Sequence, residues 1–223
     1  MSIRRLTIGS EQAPLVVVDN FVADAEELVR IASGAAFDAE SRYYPGIRAA
    51  APPAYRELFA ASLVESLAAA FGLRGNDLSF SLCHFSLVTT APQQLKIPQR
   101  IPHVDSLPRS GLASIHYLFK RNLGGTAFYR HRKTGFEYID EARNEPYLRS
   151  LREENLQPET AGVGYINGDT DLFEQIAKQD GVFNRMLVYR RNSLHSGCIE
   201  RDFVPDPNPA TGRLSINSFL DVV

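Results

Sequence analysis

Sulfur is scarce in this chain: 223 residues contain two cysteines, Cys83 and Cys198. That sets aside a disulfide framework and a cysteine-ligated zinc site, and both thiols read as small buried hydrophobes. An excess of one charge sign is also missing. With 24 basic and 26 acidic residues the net charge is -2, too little to draw the protein to nucleic acid or to an anionic membrane. The local cluster Arg130-His131-Arg132-Lys133 therefore reads as a solvated turn. Long apolar runs are lacking as well. No segment approaches the roughly 20 residues of a transmembrane helix, and Met1 to Arg5 lacks a signal-peptide core. No internal repeat or low-complexity tract is visible. These absences lead us to expect a cytoplasmic protein with a small-molecule or peptide partner, no nucleic-acid or membrane partner, and a surface compatible with a homodimer.

The length suits one domain, 1–223, with a helical support region over about 1–77 and a strand-rich core over 78–223. Pro14 to Phe21 reads as a strand running into a helix over Asp24 to Ala32, where Asp24 and Glu27 have capping-box spacing. A second helix follows Pro52-Pro53 and stops near Gly72, with Leu63, Leu67 and Phe71 on one face. Short β-rich runs then appear at Leu78 to Thr89, Gly111 to Phe119, Thr126 to Tyr129, Gly162 to Ile166, Arg185 to Tyr189 and Leu214 to Leu220. A further short helix is expected over Asp169 to Lys178. Many short strands indicate a sandwich or barrel rather than a parallel α/β sheet. The segments Gln93 to Pro102 and Phe136 to Thr160 read as rims or lids of a site.

The chemistry concentrates in two short patterns. His103 and Asp105 are two residues apart, so an extended chain sends both to one face. With a distant His195 they make the ligand set of a non-haem Fe(II) site with open positions. Arg213 and Ser215 repeat the spacing, and a guanidinium fork beside a hydroxyl suits a carboxylate. Asn217 continues the parity toward a substrate cavity. Duller accounts stand beside these. His103 and Asp105 could form a loop hydrogen bond, Arg213 an ordinary ion pair, and Tyr117 a buried strand aromatic. His84 and His116 lie in expected strands and read as core histidines.

Together these residues resemble the Fe(II)/2-oxoglutarate-dependent dioxygenases, nearest to their prolyl-hydroxylase-like branch. Leu15-Val16-Val17-Val18-Asp19-Asn20-Phe21 is similar to that branch's first strand. Ile115-His116-Tyr117-Leu118-Phe119 and Gly124-Gly125-Thr126-Ala127-Phe128 are similar to the strand and turn that follow its His-x-Asp. The resemblance implies an α+β, mainly β fold: a double-stranded β-helix, or jelly-roll, core of cupin type with flanking N-terminal helices. It implies Fe(II) on His103, Asp105 and His195, and 2-oxoglutarate as cosubstrate with O2. Arg213, Ser215 and Tyr117 would hold the distal carboxylate of 2-oxoglutarate. The implied reaction is hydroxylation of a C–H bond in a small molecule, amino acid or peptide side chain, with release of succinate and CO2. A non-catalytic jelly-roll metal- or ligand-binding sensor is the alternative. Two departures stand out: a proline-rich insertion lengthens the interval from His195 to Arg213, and the tyrosine that many relatives carry before His-x-Asp is replaced by Ala91-Pro92-Gln93-Gln94.

Overall fold

The computed structural model describes residues 1–38, 43–154 and 164–223. Ten strands build two antiparallel sheets among these residues. β1 (Ser2–Ile8), β2 (Ala13–Asp19), β3 (Gly46–Ala50), β4 (Leu78–Val88), β5 (Leu112–Tyr117), β8 (Arg185–Arg190) and β10 (Leu214–Val222) form the major sheet, in the order β1-β2-β8-β5-β10-β4-β3. β6 (Gly125–His131), β7 (Phe173–Asp180) and β9 (His195–Cys198) form the minor sheet, in the order β7-β6-β9. The helices are α1 (Ala25–Ser33), α2 (Pro53–Phe71), the single turn α3 (Ile97–Arg100) and α4 (Glu141–Glu153).

The two long N-terminal segments are helical for the reasons their sequences give. The Asp24 carboxylate accepts from the Glu27 N–H at 3.0 Å and so caps α1. Pro53 opens α2, where a missing N–H costs nothing, and Gly72 ends it in the left-handed region at φ 62°. Tyr55, Phe59, Leu63, Leu67 and Phe71 recur every four residues, so α2 buries one stripe. That stripe packs on the outer face of the major sheet, against Val16, Val18, Phe85, Leu87, Leu214 and Ile216. The opposite parity points inward. Leu15, Val17, Ile115, Tyr117, Leu187 and Tyr189 meet Phe128 of the minor sheet in a second core. α4 covers the other face of the minor sheet through Tyr147 and Leu151.

Several expectations change. Asp169 to Lys178 is not a helix: Phe173–Asp180 is β7, paired with β6 from Gly125↔Asp180 to His131↔Phe173. Its capping groups exist but serve a turn, with Thr170 Oγ1 accepting from Phe173 N at 3.0 Å and Asp169 Oδ1 from Gln175 N at 2.8 Å. The expected strand at Gly162 to Ile166 lies partly outside the described residues, and Gly164 to Ile166 is irregular. The segment Phe136 to Thr160 contains α4, capped by Asp140, and its end also lies outside the described residues. The basic cluster is a solvated turn only at Arg132 and Lys133, because Arg130 and His131 belong to β6. His131 is fully buried against Glu154 at 2.8 Å, while Arg130, Arg132 and Lys133 pair with Glu137, Asp169 and Glu153. Cys83 and Cys198 are buried free thiols. No helix among the described residues is long and apolar enough to cross a membrane.

The seam between β2 and β8 carries a pH-dependent contribution. Burial opposes the charge on Asp19, but hydrogen bonds and attraction from Arg185 and Arg4 outweigh it and hold the carboxyl below its ordinary value. A lowered folded pKa gives stability that is complete above the unfolded value, about 3.9, and is lost as the pH falls through the folded one. Asp19→Asn should therefore lower the thermal midpoint at pH 7 and leave it nearly unchanged near pH 2. Parallel melts by circular dichroism at the two pH values check this.

Candidate metal centre and anion clamp

His103, Asp105 and His195 converge, with one ligand atom from each lying within 4.8 Å of the others. Their carrier differs from the expected strand, because His103 makes only an isolated bridge to His195. The two residues exchange backbone hydrogen bonds of 2.9 and 3.0 Å. Asp105 N donates to Arg191 O at 2.8 Å, which fixes the next residues of the same extended stretch. The two-residue alternation survives, and Val104 packs the other way, against the α4 cluster.

The geometry suits a cation. His103 Nε2 lies 3.7 Å from Asp105 Oδ1, and His195 Nε2 lies 3.5 Å from Asp105 Oδ2. Three donors about 2.1 Å from one ion stand roughly 3 to 3.5 Å apart, so small side-chain movements would enclose a metal. His195 Nδ1 is 2.9 Å from the Ser193 carbonyl, which can only accept. The proton is therefore on Nδ1, and the Nε2 lone pair faces Asp105. Asp105 Oδ2 is buried without a hydrogen-bond partner, a costly state for a carboxylate that a cation would relieve. Loss of hydration, and then the neighbouring His195, push His103 down to about 4, with Asp105 pulling the other way. Half of the His103 side-chain surface is nevertheless open, so the imidazole is within reach of solvent. The neutral imidazole is the form that binds metal.

The second pattern lies beside the first. Residue 213 precedes β10, and its guanidinium crosses to the minor sheet: Nε donates to Leu123 O at 2.9 Å and Nη2 to Gly125 O at 2.8 Å. Gly124 holds φ 83°, and a Cβ on Gly124 or Gly125 would sit 2.0 Å from the carbonyl of Cys198 or Gln179, so this turn tolerates only glycine. A Cβ on Gly197, two residues along β9 from His195 and on the same face, would be 3.9 Å from Arg213 Nη2. Arg213 is 3% exposed, and no carboxylate lies within ion-pair distance of it among the described residues. The ordinary ion pair is thus not what holds it. The insertion before it ties itself off, with Asp206 Oδ1 accepting from Asn208 N, Asn208 Oδ1 from Ala210 N, and Asp206 Oδ2 from Thr211 Oγ1.

Ser215 is fully buried and donates to Asn217 Oδ1 at 2.8 Å, which places the two on one face. Tyr117 is opposite Ser215 in register, and its hydroxyl lies 2.7 Å from Thr126 Oγ1 across the two sheets. Burial raises that phenol to about 12, with Thr126 and Arg213 opposing the rise. His116 is a satisfied core residue between Tyr55 and Asn184. Sequence reasoning missed Tyr44, whose hydroxyl stands beside Ser86, Ser215 and Arg213, and Tyr165, which donates to Thr90 O at 2.8 Å near the same guanidinium. Two recesses, of about 300 Å³ by Glu26, Lys120 and Phe183 and about 220 Å³ by Arg121, Ile199 and Phe203, do not include the three ligands. The site is recognised by converging donors, not by an open volume.

With this geometry the fold can be compared with known proteins. HygX from Streptomyces hygroscopicus, solved with nickel, 2-oxoglutarate and hygromycin B, superposes with a TM-score of 0.53 at 8% identity over 96% of this chain and 84% of that one. SnoN, an α-ketoglutarate-dependent epimerase of nogalamycin biosynthesis, gives 0.52 at 11% identity over 95% and 79%. AviO1 from Streptomyces viridochromogenes Tue57 gives 0.50 at 13% identity over 98% and 90%. The fold is that of the non-haem 2-oxoglutarate-dependent enzymes. Within it, the chain belongs to a family described as of unknown function, DUF6445, whose model matches residues 1–220. No curated protein matches the sequence.

Arg213 is a structural strut that ties the approach to β10 to the turn that opens β6. Arg213→Gln leaves at least one buried carbonyl without its charged donor and should destabilise the protein by about 2 to 5 kcal/mol. Arg213→Lys keeps the charge without the fork and should lose less. Urea midpoints of the two variants check the order.

Proposed function

We propose that this protein is an Fe(II)/2-oxoglutarate-dependent oxygenase, a single domain on a double-stranded β-helix core, that hydroxylates a C–H bond of a small molecule, amino acid or peptide side chain. The observation that carries the reading is the convergence of His103, Asp105 and His195 around a buried, unpartnered carboxylate oxygen, beside the Arg213 guanidinium. Fold likeness to HygX, whose crystals hold nickel with 2-oxoglutarate or iron, supports the same cofactor pair here. It does not select the reaction, because the same fold serves an epimerase.

When bound, iron would supply the redox chemistry that couples oxidative decarboxylation of 2-oxoglutarate by O2, giving succinate and CO2, to insertion of one oxygen atom into a substrate C–H bond. The chain's residues do the rest. His103 and His195 offer neutral nitrogens, and Asp105 offers one negative charge toward a divalent ion. Ser193 O locks the His195 ring in the metal-binding tautomer. Arg213, already oriented by two carbonyls, would have little freedom left to lose on meeting a carboxylate, and Ser215 and Tyr117 would have to turn their hydroxyls from Asn217 and Thr126 to join it. Phe128 and Tyr189 pack around His195, with the Tyr189 ring centroid 4.7 Å away, and keep water from that side.

Addition of Fe(II) and 2-oxoglutarate under anaerobic conditions should produce a weak visible charge-transfer band, and admission of O2 should yield succinate. Asp105→Ala and His103→Ala should each reduce Fe(II)-dependent succinate formation by at least about 100-fold while the thermal midpoint stays close to that of the parent protein. Failure of the parent to bind either Fe(II) or 2-oxoglutarate overturns the reading.

A further inference from the structure

We propose that the inner face of β3 and β4 forms an oxyanion-binding recess beside the metal ligands, centred on Arg48 and His84, and that the oxidised substrate is held there by a carboxylate or phosphate group. This rests on the oxygenase reading above and extends it to the substrate's chemistry.

Register places the recess. Arg48 is opposite Ser86, Ser86 opposite Ser215, and Ser215 opposite Tyr117, so four adjacent strands present one row on the inner face. Strands are about 4.8 Å apart, which sets Arg48 roughly 10 Å from Ser215. His84 is two residues from Ser86 on the same face and is opposite Asn217. The Arg48 charge acts on Asp105, so its head lies on the metal side of the sheet. His84 in turn feels both Arg48 and Arg56.

Among the described residues, these cations exceed the anions that face them. Arg48 stacks over the Tyr44 ring at 4.4 Å, and among the described residues no carboxylate is within ion-pair distance of Arg48 or Arg56. Arg48 Nε, Arg56 Nε and His84 Nδ1 are each buried without a hydrogen-bond partner. Two acids act on the group. Asp38 acts on His84 and meets Arg48 through backbone hydrogen bonds, whereas Asp105 is committed to the metal. Among the described residues, Arg48 and His84 thus face Asp38 as the one carboxylate not turned toward the metal ligands. An oxyanion brings both the missing charge and the acceptors that buried donors require, and arginine engages it through paired bonds. Arg213, two residues before Ser215 and tied to the Leu123 and Gly125 carbonyls, is left to the cosubstrate, while Arg48, stacked on the Tyr44 ring that stands between the two guanidinium groups, is left to the substrate.

The test uses the full chain loaded with Mn(II) and saturating 2-oxoglutarate in oxygen-free buffer, with loading measured first. Isothermal calorimetry then compares N-acetylated amino acids as free acids, the same compounds as carboxamides, and inorganic phosphate. We expect an anionic probe to bind the parent about ten- to a hundredfold more tightly than its neutral counterpart, the gain of one charge-assisted bond. Arg48→Gln should abolish this preference, Arg48→Lys should retain part of it, and the 2-oxoglutarate dissociation constant should stay within about twofold in both. Preference for free acids marks a carboxylate substrate, and tighter phosphate binding marks a phosphorylated one. Equal binding of acids and carboxamides together with no phosphate binding, or a preference that survives in Arg48→Gln, overturns the recess. A large loss of 2-oxoglutarate affinity in Arg48→Gln also overturns it, by assigning Arg48 to the cosubstrate. Failure of the parent to load overturns the oxygenase reading, and the recess with it.

Discussion

Two backbone hydrogen bonds between His103 and His195 are the constraint on which the site depends. They join an irregular stretch before β5 to the short strand β9, which pairs in turn with β6. Residues 92 positions apart are thereby brought to one point by main-chain geometry, and their imidazoles need only ordinary rotamers to meet Asp105. Because the main chain supplies the placement, the side chains remain free to be ligands. The Ser193 carbonyl then removes the last ambiguity by fixing which nitrogen of His195 carries the proton.

The sheets could slide apart at this end without a second tie, and Arg213 supplies it. Its two bonds to Leu123 and Gly125 carbonyls link the approach to β10 in the major sheet with the turn that opens β6 in the minor one. The glycine pair has a separate cause, since side chains there would strike the Cys198 and Gln179 carbonyls of the neighbouring strands. A guanidinium held in this way has little conformational freedom left to lose.

Much of this was legible in the sequence, and the misses share a cause. His195, 92 residues beyond His103, came with the family resemblance, whereas the strand core, α1, α2 and the same-face spacing of His103 with Asp105 follow from local spacing and periodicity. β7 did not, because Glu174, Gln175, Ala177 and Lys178 favour a helix in isolation while pairing with β6 decides otherwise. α4 was hidden by its few apolar residues and by Pro146 within it. Tyr44, Arg48 and the carbonyl partners of Arg213 carry no local signal at all. Their roles arise from register between strands distant in sequence, which spacing along the chain does not encode.

The alternation along β10 separates two duties within one strand. Leu214 and Ile216 face the helices and hold the core, whereas Arg213, Ser215 and Asn217 face the minor sheet side. β4 divides likewise, with Phe85 and Leu87 on one side and His84 and Ser86 on the other. Residues such as His84 and Asn217 can therefore be exchanged without opening a void in the packed layer. A period of two in the backbone leaves one face of the sheet editable on a fixed frame.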